Sequence, residues 1–98
     1  MPQVSVIVLT YNPDNDKLRS TLAAVAAQRD VELEVLISDD GSARKDFAFL
    51  PGFMDSLNVR RWRLLEHPVN RGTVASCRSA VSEAAGKYVF LTSPGDYL

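Results

Sequence analysis

The chain alternates short apolar runs with stretches in which apolar residues recur every three or four positions. Val4, Val6 and Val8, together with Ile7 and Leu9, make a near-continuous β-branched run. That is the pattern of a central strand covered on both faces. Thr10-Tyr11-Asn12-Pro13-Asp14 breaks the run, and Pro13 holds Asn12 to extended or turn backbone. Asp14 or Asn15 can then cap a helix. Leu18, Leu22, Val25 and Ala26 predict that helix to be amphipathic from Asp16 to Gln28, with Ala23 letting it lie close to a sheet. Val31 to Glu34 is a polar approach to a second buried strand, Val35-Leu36-Ile37-Ser38. Asp39-Asp40-Gly41-Ser42 turns out of it, with Gly41 free to take positive φ.

The second half repeats the alternation. A helix is expected through Ala43 to Leu50, started by Ser42 or a neighbour and interrupted by Pro51-Gly52. Phe47, Phe49, Leu50 and Phe53 are expected to cover one sheet face. Val59 to Glu66 reads as a third strand, with Trp62 and Leu64 sharing a face by alternation. His67 to Gly72 is a loop. Thr73 to Ala85 is a helix with Val74, Cys77, Val81 and Ala84/Ala85 as its apolar stripe, stopped by Gly86 as a C′ residue. Tyr88 to Thr92 is the fourth strand. Strand-helix alternation of this kind predicts an α/β fold: three layers, αβα, around a mostly parallel, Rossmann-like sheet of about four strands.

Composition narrows the class. The 98 residues are 46% hydrophobic and 23% charged with a net charge of -1, which suits one globular domain or one piece of it. The near-neutral balance gives no electrostatic argument for nucleic acid or for an anionic membrane surface. Cys77 is alone, which excludes a disulfide framework or a thiolate metal cluster and fits a reducing compartment. Met1-Pro2-Gln3 leads straight into a strand without a basic n-region, and no apolar run is long enough to span a bilayer. The chain stops at Asp96-Tyr97-Leu98 just after a strand, so residues 1–98 are expected to be part of a longer domain.

Candidate chemistry follows partly by elimination. A G-x-x-x-x-G-K-[ST] loop is absent, and TYNPDN carries no glycine for a dinucleotide fingerprint. The sole histidine, His67, lies in a loop before proline and reads as a surface residue, which leaves no Ser-His-Asp triad. Asp39 and Asp40 are the strongest pair. Carboxylates at a strand's end accept hydrogen bonds from ribose hydroxyls or a base N–H, while Asp-Asp-Gly-Ser is also good turn chemistry. Two parallel strands ending side by side would bring Tyr11, Asn12, Asp39 and Asp40 to one sheet edge, the edge where open α/β sheets bind ligands.

VSVIVLTYN, an amphipathic helix ending in Gln28, VLISDDGS, the Asn70-Arg71-Gly72 tripeptide and A-x-G-K-Y-V-F-L from Ala84 to Leu91 occur in this order over essentially the whole chain. In these motifs the sequence resembles the family 2 glycosyltransferases of GT-A fold. The resemblance implies the N-terminal, nucleotide-binding half of such an enzyme. It would take a nucleotide-diphosphate sugar, often UDP-linked, and pass the sugar to an acceptor with inversion. Thr10, Tyr11 and Asn12 match the segment that lines the base pocket. Asp40 would pair with the base imide, and Asp39 would support its loop. Asn70, Arg71 and Gly72 match the N-x-G before the third helix, where a glycine suits close approach of a diphosphate to backbone N–H groups. Arg71 or Arg78 would add charge-assisted bonds. The acceptor site and general base would lie beyond Leu98, so no catalytic residue is assigned within the chain. The implied setting is polysaccharide or cell-wall biosynthesis in the cytoplasm, with any attachment to the inner membrane face coming from other parts of the protein.

One departure stands out. The family's D-x-D follows the fourth strand and binds a divalent metal, Mg²⁺ or Mn²⁺, that bridges the diphosphate. Here both carboxylate positions are taken by Ser93 and Gly95, leaving Asp96 as the candidate ligand. Hard cations of this kind want carboxylate oxygens, whereas Ser-Pro-Gly-Asp is also a good type II turn. Two other readings therefore stand beside sugar transfer. One is a degenerate GT-A-like module that binds nucleotide, or only serves structure, without the metal. The other is an unrelated doubly wound domain such as a phosphoacceptor receiver. A receiver needs acids ending its first and third strands, and these strands end in Thr10-Tyr11-Asn12 and Glu66-His67.

Overall fold

The computed structural model describes residues 3–11, 14–27, 32–42, 47–69 and 72–92. Four strands, β1 (Val4–Thr10), β2 (Leu33–Asp39), β3 (Trp62–Glu66) and β4 (Tyr88–Thr92), form one sheet in the order β3-β2-β1-β4. Every pairing is parallel. Three helices connect them: α1 (Asn15–Ala26), α2 (Leu50–Ser56) and α3 (Thr73–Glu83).

The apolar pattern decides the layers. Register partners in a parallel pair share a sheet face, so Val6, Val8, Val35 and Ile37 point one way. They meet Leu18 and Leu22 of α1, Phe47, and Leu50 and Met54 of α2 in the main core. Phe49, Phe53, Trp62 and Leu64 pack around it as the sequence predicts. Ile7 and Leu36 point the other way and meet Ala80 of α3 in a smaller core. Asp14 caps α1, its carboxylate accepting from the backbone N–H groups of Asp16 at 2.9 Å and Lys17 at 3.3 Å.

Three expectations are corrected. Pro51-Gly52 does not interrupt a helix: it sits in the first turn of α2, which starts at Leu50. Proline is tolerated there because first-turn N–H groups have no helical partner. Of the helix expected through Ala43 to Leu50, residues 43–46 lie outside the described residues and 47–49 are not helical, so only Leu50 is in a helix. The stripe of α3 is rotated: Ser76 and Ala80 are buried, while Val74 is 68% and Val81 45% exposed. This face can be small and partly polar because α3 lies close against β1 and β2 and bonds to Ser38. Finally, α3 ends at Glu83 with Ala84 extended, so Gly86 is not its C′ residue. A Cβ on Gly86 would stand 2.5 Å from the Ser5 backbone nitrogen and 2.6 Å from its Oγ. Glycine is required by that close approach rather than by a helix cap.

Glu34 also departs from its reading as a polar approach: it is buried within β2. Its carboxylate accepts from the Ser5 hydroxyl at 2.9 Å and the Ala85 N–H at 3.0 Å, while the Gly86 N–H donates to Ser5 Oγ at 2.8 Å. This network ties the segment before β4 to the amino-terminal edge of the sheet. Among the described residues, no helix is long and apolar enough to cross a membrane.

Candidate functional site

The carboxyl ends of β1 and β2 finish level, with Thr10 paired to Asp39. One residue on, the Asp40 N–H donates to the Thr10 carbonyl at 2.9 Å, which extends the pairing into the loops. The two aspartates, adjacent in sequence, then do different things. Asp39 is fully buried. One of its oxygens accepts from the Thr10 hydroxyl at 2.8 Å and from the Ser42 hydroxyl, and the other accepts from the Ser42 N–H at 2.9 Å. Its carboxylate therefore locks the β2 turn to the end of β1. Charge-assisted bonds of this kind are among the stronger polar contacts a fold makes.

Asp40 reaches the other way. Its Oδ2 accepts from the Gly72 N–H at 2.9 Å. Gly72 has φ +91 and caps α3, in a left-handed backbone that favours glycine. One side chain thus joins the tip of β2 to the first turn of α3. Tyr11 follows the end of β1 and is 54% exposed. Thr10, Tyr11, Asp39, Asp40 and Gly72 are brought together at the strand tips. Arg78 is not gathered there: it lies six residues along α3 from Gly72, on the exposed flank opposite Ser76 and Ala80. Asn12, Asn70, Arg71 and Asp96 lie outside the described residues.

His67 is not the surface residue its loop position predicts. It is half-buried, its backbone N–H donates to the Asp39 carbonyl at 3.0 Å, and its Nε2 lies 3.3 Å from Ser38 Oγ. Ser38 in turn meets Ser76 of α3, hydroxyl to hydroxyl at 2.7 Å and hydroxyl to carbonyl at 3.2 Å. Ser38, Ser42, His67 and Ser76 were missed as site-forming residues by sequence reasoning. The available signal was serine at two positions, the end of a buried strand and the inner face of a helix, where apolar residues are the rule.

An all-parallel sheet with an acid pair and a glycine-led helix at its carboxyl edge defines a Rossmann-like domain with a ligand edge at its strand tips. Residues 5–93 match Glycosyl transferase family 2, and the chain belongs to that family. An N-acetylglucosaminyltransferase of Bradyrhizobium sp. (strain ANU 289) is 32% identical over 90 residues, spanning 91% of this chain and 58% of that protein. Among solved structures, the mannosyltransferase PcManGT of Pyrobaculum calidifontis, in complex with GDP-Man and Mn²⁺, superposes with a TM-score of 0.83 at 25% identity. That alignment covers 95% of this chain and 27% of the mannosyltransferase. TarS of S. aureus superposes at 0.76 with 27% identity, covering 97% of this chain and 28% of its own. The chain thus spans little more than half the length of the curated relative and about a quarter of these structures. Its αβα sheet is the N-terminal half of a GT-A fold.

Among the described residues, no group of three His, Cys, Asp or Glu side chains is placed to hold an ion. Asp39 is spent on Thr10 and Ser42. After β4 the sequence offers Asp96 alone where the motif has two carboxylates.

Proposed function

We propose that this chain is the donor-nucleotide-binding part of a glycosyltransferase. The whole enzyme would move a sugar from a nucleotide-diphosphate sugar, UDP-linked, to an acceptor with inversion. The observation that carries this reading is the double attachment of Asp40, to Thr10 through its backbone and to Gly72 through its carboxylate. It fixes the ends of β1 and β2 and the start of α3 as one edge.

Within that edge the residues divide the donor between them. The exposed ring of Tyr11 offers an aromatic face to a base. The Asp40 carboxylate accepts from the base imide, with Thr10 and Asn12 on either side of Tyr11 lining the same pocket. The Gly72 amide is already bonded to Asp40, so a diphosphate meets the next first-turn amides of α3, which no helical carbonyl serves. Arg71, which adjoins Gly72 in sequence, supplies positive charge toward it, while Arg78 would have to reach it from the exposed flank of α3. Asp39 acts indirectly by holding the loop. The mannosyltransferase with bound GDP-Man supports a nucleotide-sugar donor for this fold. Asp96 would be this chain's own ligand to a divalent ion, and none of the binding contacts above depends on it.

Calorimetric titration with UDP, GDP and uridine tests the reading. A saturable heat with UDP, weaker with uridine and weaker again with GDP, is expected. A folded protein that ignores both diphosphates overturns it.

A second reading, nucleotide binding without catalysis, is favoured by the Ser93 and Gly95 departures from D-x-D. Gly95→Asp separates the two readings. If the parent binds UDP without Mn²⁺ and Gly95→Asp makes that binding stronger with Mn²⁺, the parent is a nucleotide module that has lost the metal site.

A further inference from the structure

Ser38 Oγ has three polar neighbours and a single proton. The Ser76 carbonyl at 3.2 Å can only accept, so Ser38 donates to it. The Ser76 hydroxyl at 2.7 Å and His67 Nε2 at 3.3 Å must then both donate to Ser38, one to each lone pair. This is the one assignment that satisfies all three contacts. It calls for a proton on His67 Nε2. Ser38 is 0% and Ser76 2% exposed, so water does not substitute for any of these partners.

The cluster sits directly beneath the site. Ser38 precedes Asp39 in β2, and the Ser76 N–H closes the first helical bond of α3 onto the Gly72 carbonyl at 3.1 Å. His67 ends the β3 side, its N–H held by the Asp39 carbonyl at 3.0 Å. We infer that His67 is a positioning residue: through Ser38 and Ser76 it sets the first turn of α3 against the β2 tip, and so the place of the donor's diphosphate. The last step rests on the nucleotide reading above. The positioning itself does not.

Two measurements separate them. His67 is the chain's only histidine. A long-range ¹H–¹⁵N spectrum should therefore show one imidazole carrying a proton on Nε2; a proton on Nδ1 alone overturns the assignment. Amide hydrogen exchange at Gly72 and Ser76 should quicken about tenfold in His67→Leu. Parent protection should return in His67→Gln, whose amide nitrogen replaces Nε2–H. Ser38→Ala should reproduce the Leu effect, and the double variant should add nothing. Additive effects, or unchanged exchange in Ser38→Ala, overturn the positioning even if His67→Leu does not fold. In binding, His67→Leu should weaken UDP about fivefold, the worth of one hydrogen bond, and leave uridine unchanged. Equal losses for both ligands overturn the link to the diphosphate. A parent that binds neither ligand overturns the nucleotide reading, while the exchange data still decide the positioning.

Discussion

At the scale of single residues, Asp39 and Asp40 show how little a sequence position says about a side chain's work. Both are carboxylates at the end of one strand. The pleat turns one inward to three donors and leaves the other reaching across to α3. Their variants should separate accordingly. Asp39→Asn replaces one of the two accepting oxygens by a donor and takes the charge from all three bonds. It should cost about 2–4 kcal/mol of stability, read as a lowered urea midpoint. Asp40→Ala removes the part-buried bond from the Gly72 N–H. It should cost only about 1 kcal/mol in stability, while abolishing measurable UDP heat in calorimetry. Equal stability losses with intact UDP binding in Asp40→Ala would remove it from the site. The place of the acid pair, Tyr11 and Gly72 at the strand tips was legible because turn chemistry and family motifs both point there. His67 was not, because no local pattern reports a neighbour 29 residues away in sequence.

At the scale of elements, strand runs and amphipathic spacing placed all four strands and α1 and α3 to within a few residues. The failures fall where the tertiary partner overrides the local pattern. Two glycines make the point. Gly86→Ala forces a methyl into the Ser5 backbone and should cost about 2 kcal/mol. Gly52, inside α2 with nothing within 4 Å of its would-be Cβ, should gain about 0.5 kcal/mol on substitution by alanine. Thermal unfolding of the pair should shift in opposite directions. A Gly86→Ala protein as stable as the parent would contradict the close packing of the segment before β4. Phe47, Phe49 and Phe53, in and just before α2, pack on the core as predicted, and Phe49 gains a contact the pattern does not show. The Arg19 guanidinium lies 4.4 Å above its ring and links α1 to α2.

At the scale of the whole molecule, the two sides of the sheet are unequally covered. α1 and α2 bury the larger core, while β4 leaves Tyr88, Val89, Phe90 and Leu91 at 55%, 40%, 62% and 54% exposure. Val74 and Val81 on α3 are exposed as well. A lone edge strand that is apolar on both faces is a template for pairing with another chain. The 98-residue chain should therefore associate with rising concentration in sedimentation velocity, and Phe90→Lys should shift it toward the monomer. Concentration-independent sedimentation of the parent would show that this edge is protected.

The sequence by itself determined the alternation, the parallel sheet and the family, because these rest on local periodicity, turn residues and ordered motifs along one chain. Only the tertiary structure decided which face of α3 is buried, why Gly86 must be glycine, and which aspartate braces the loop while its neighbour reaches the helix. Those outcomes depend on distances between segments 29 to 81 residues apart in sequence. Contacts of that kind are fixed by how the layers stack, not by any window of the chain.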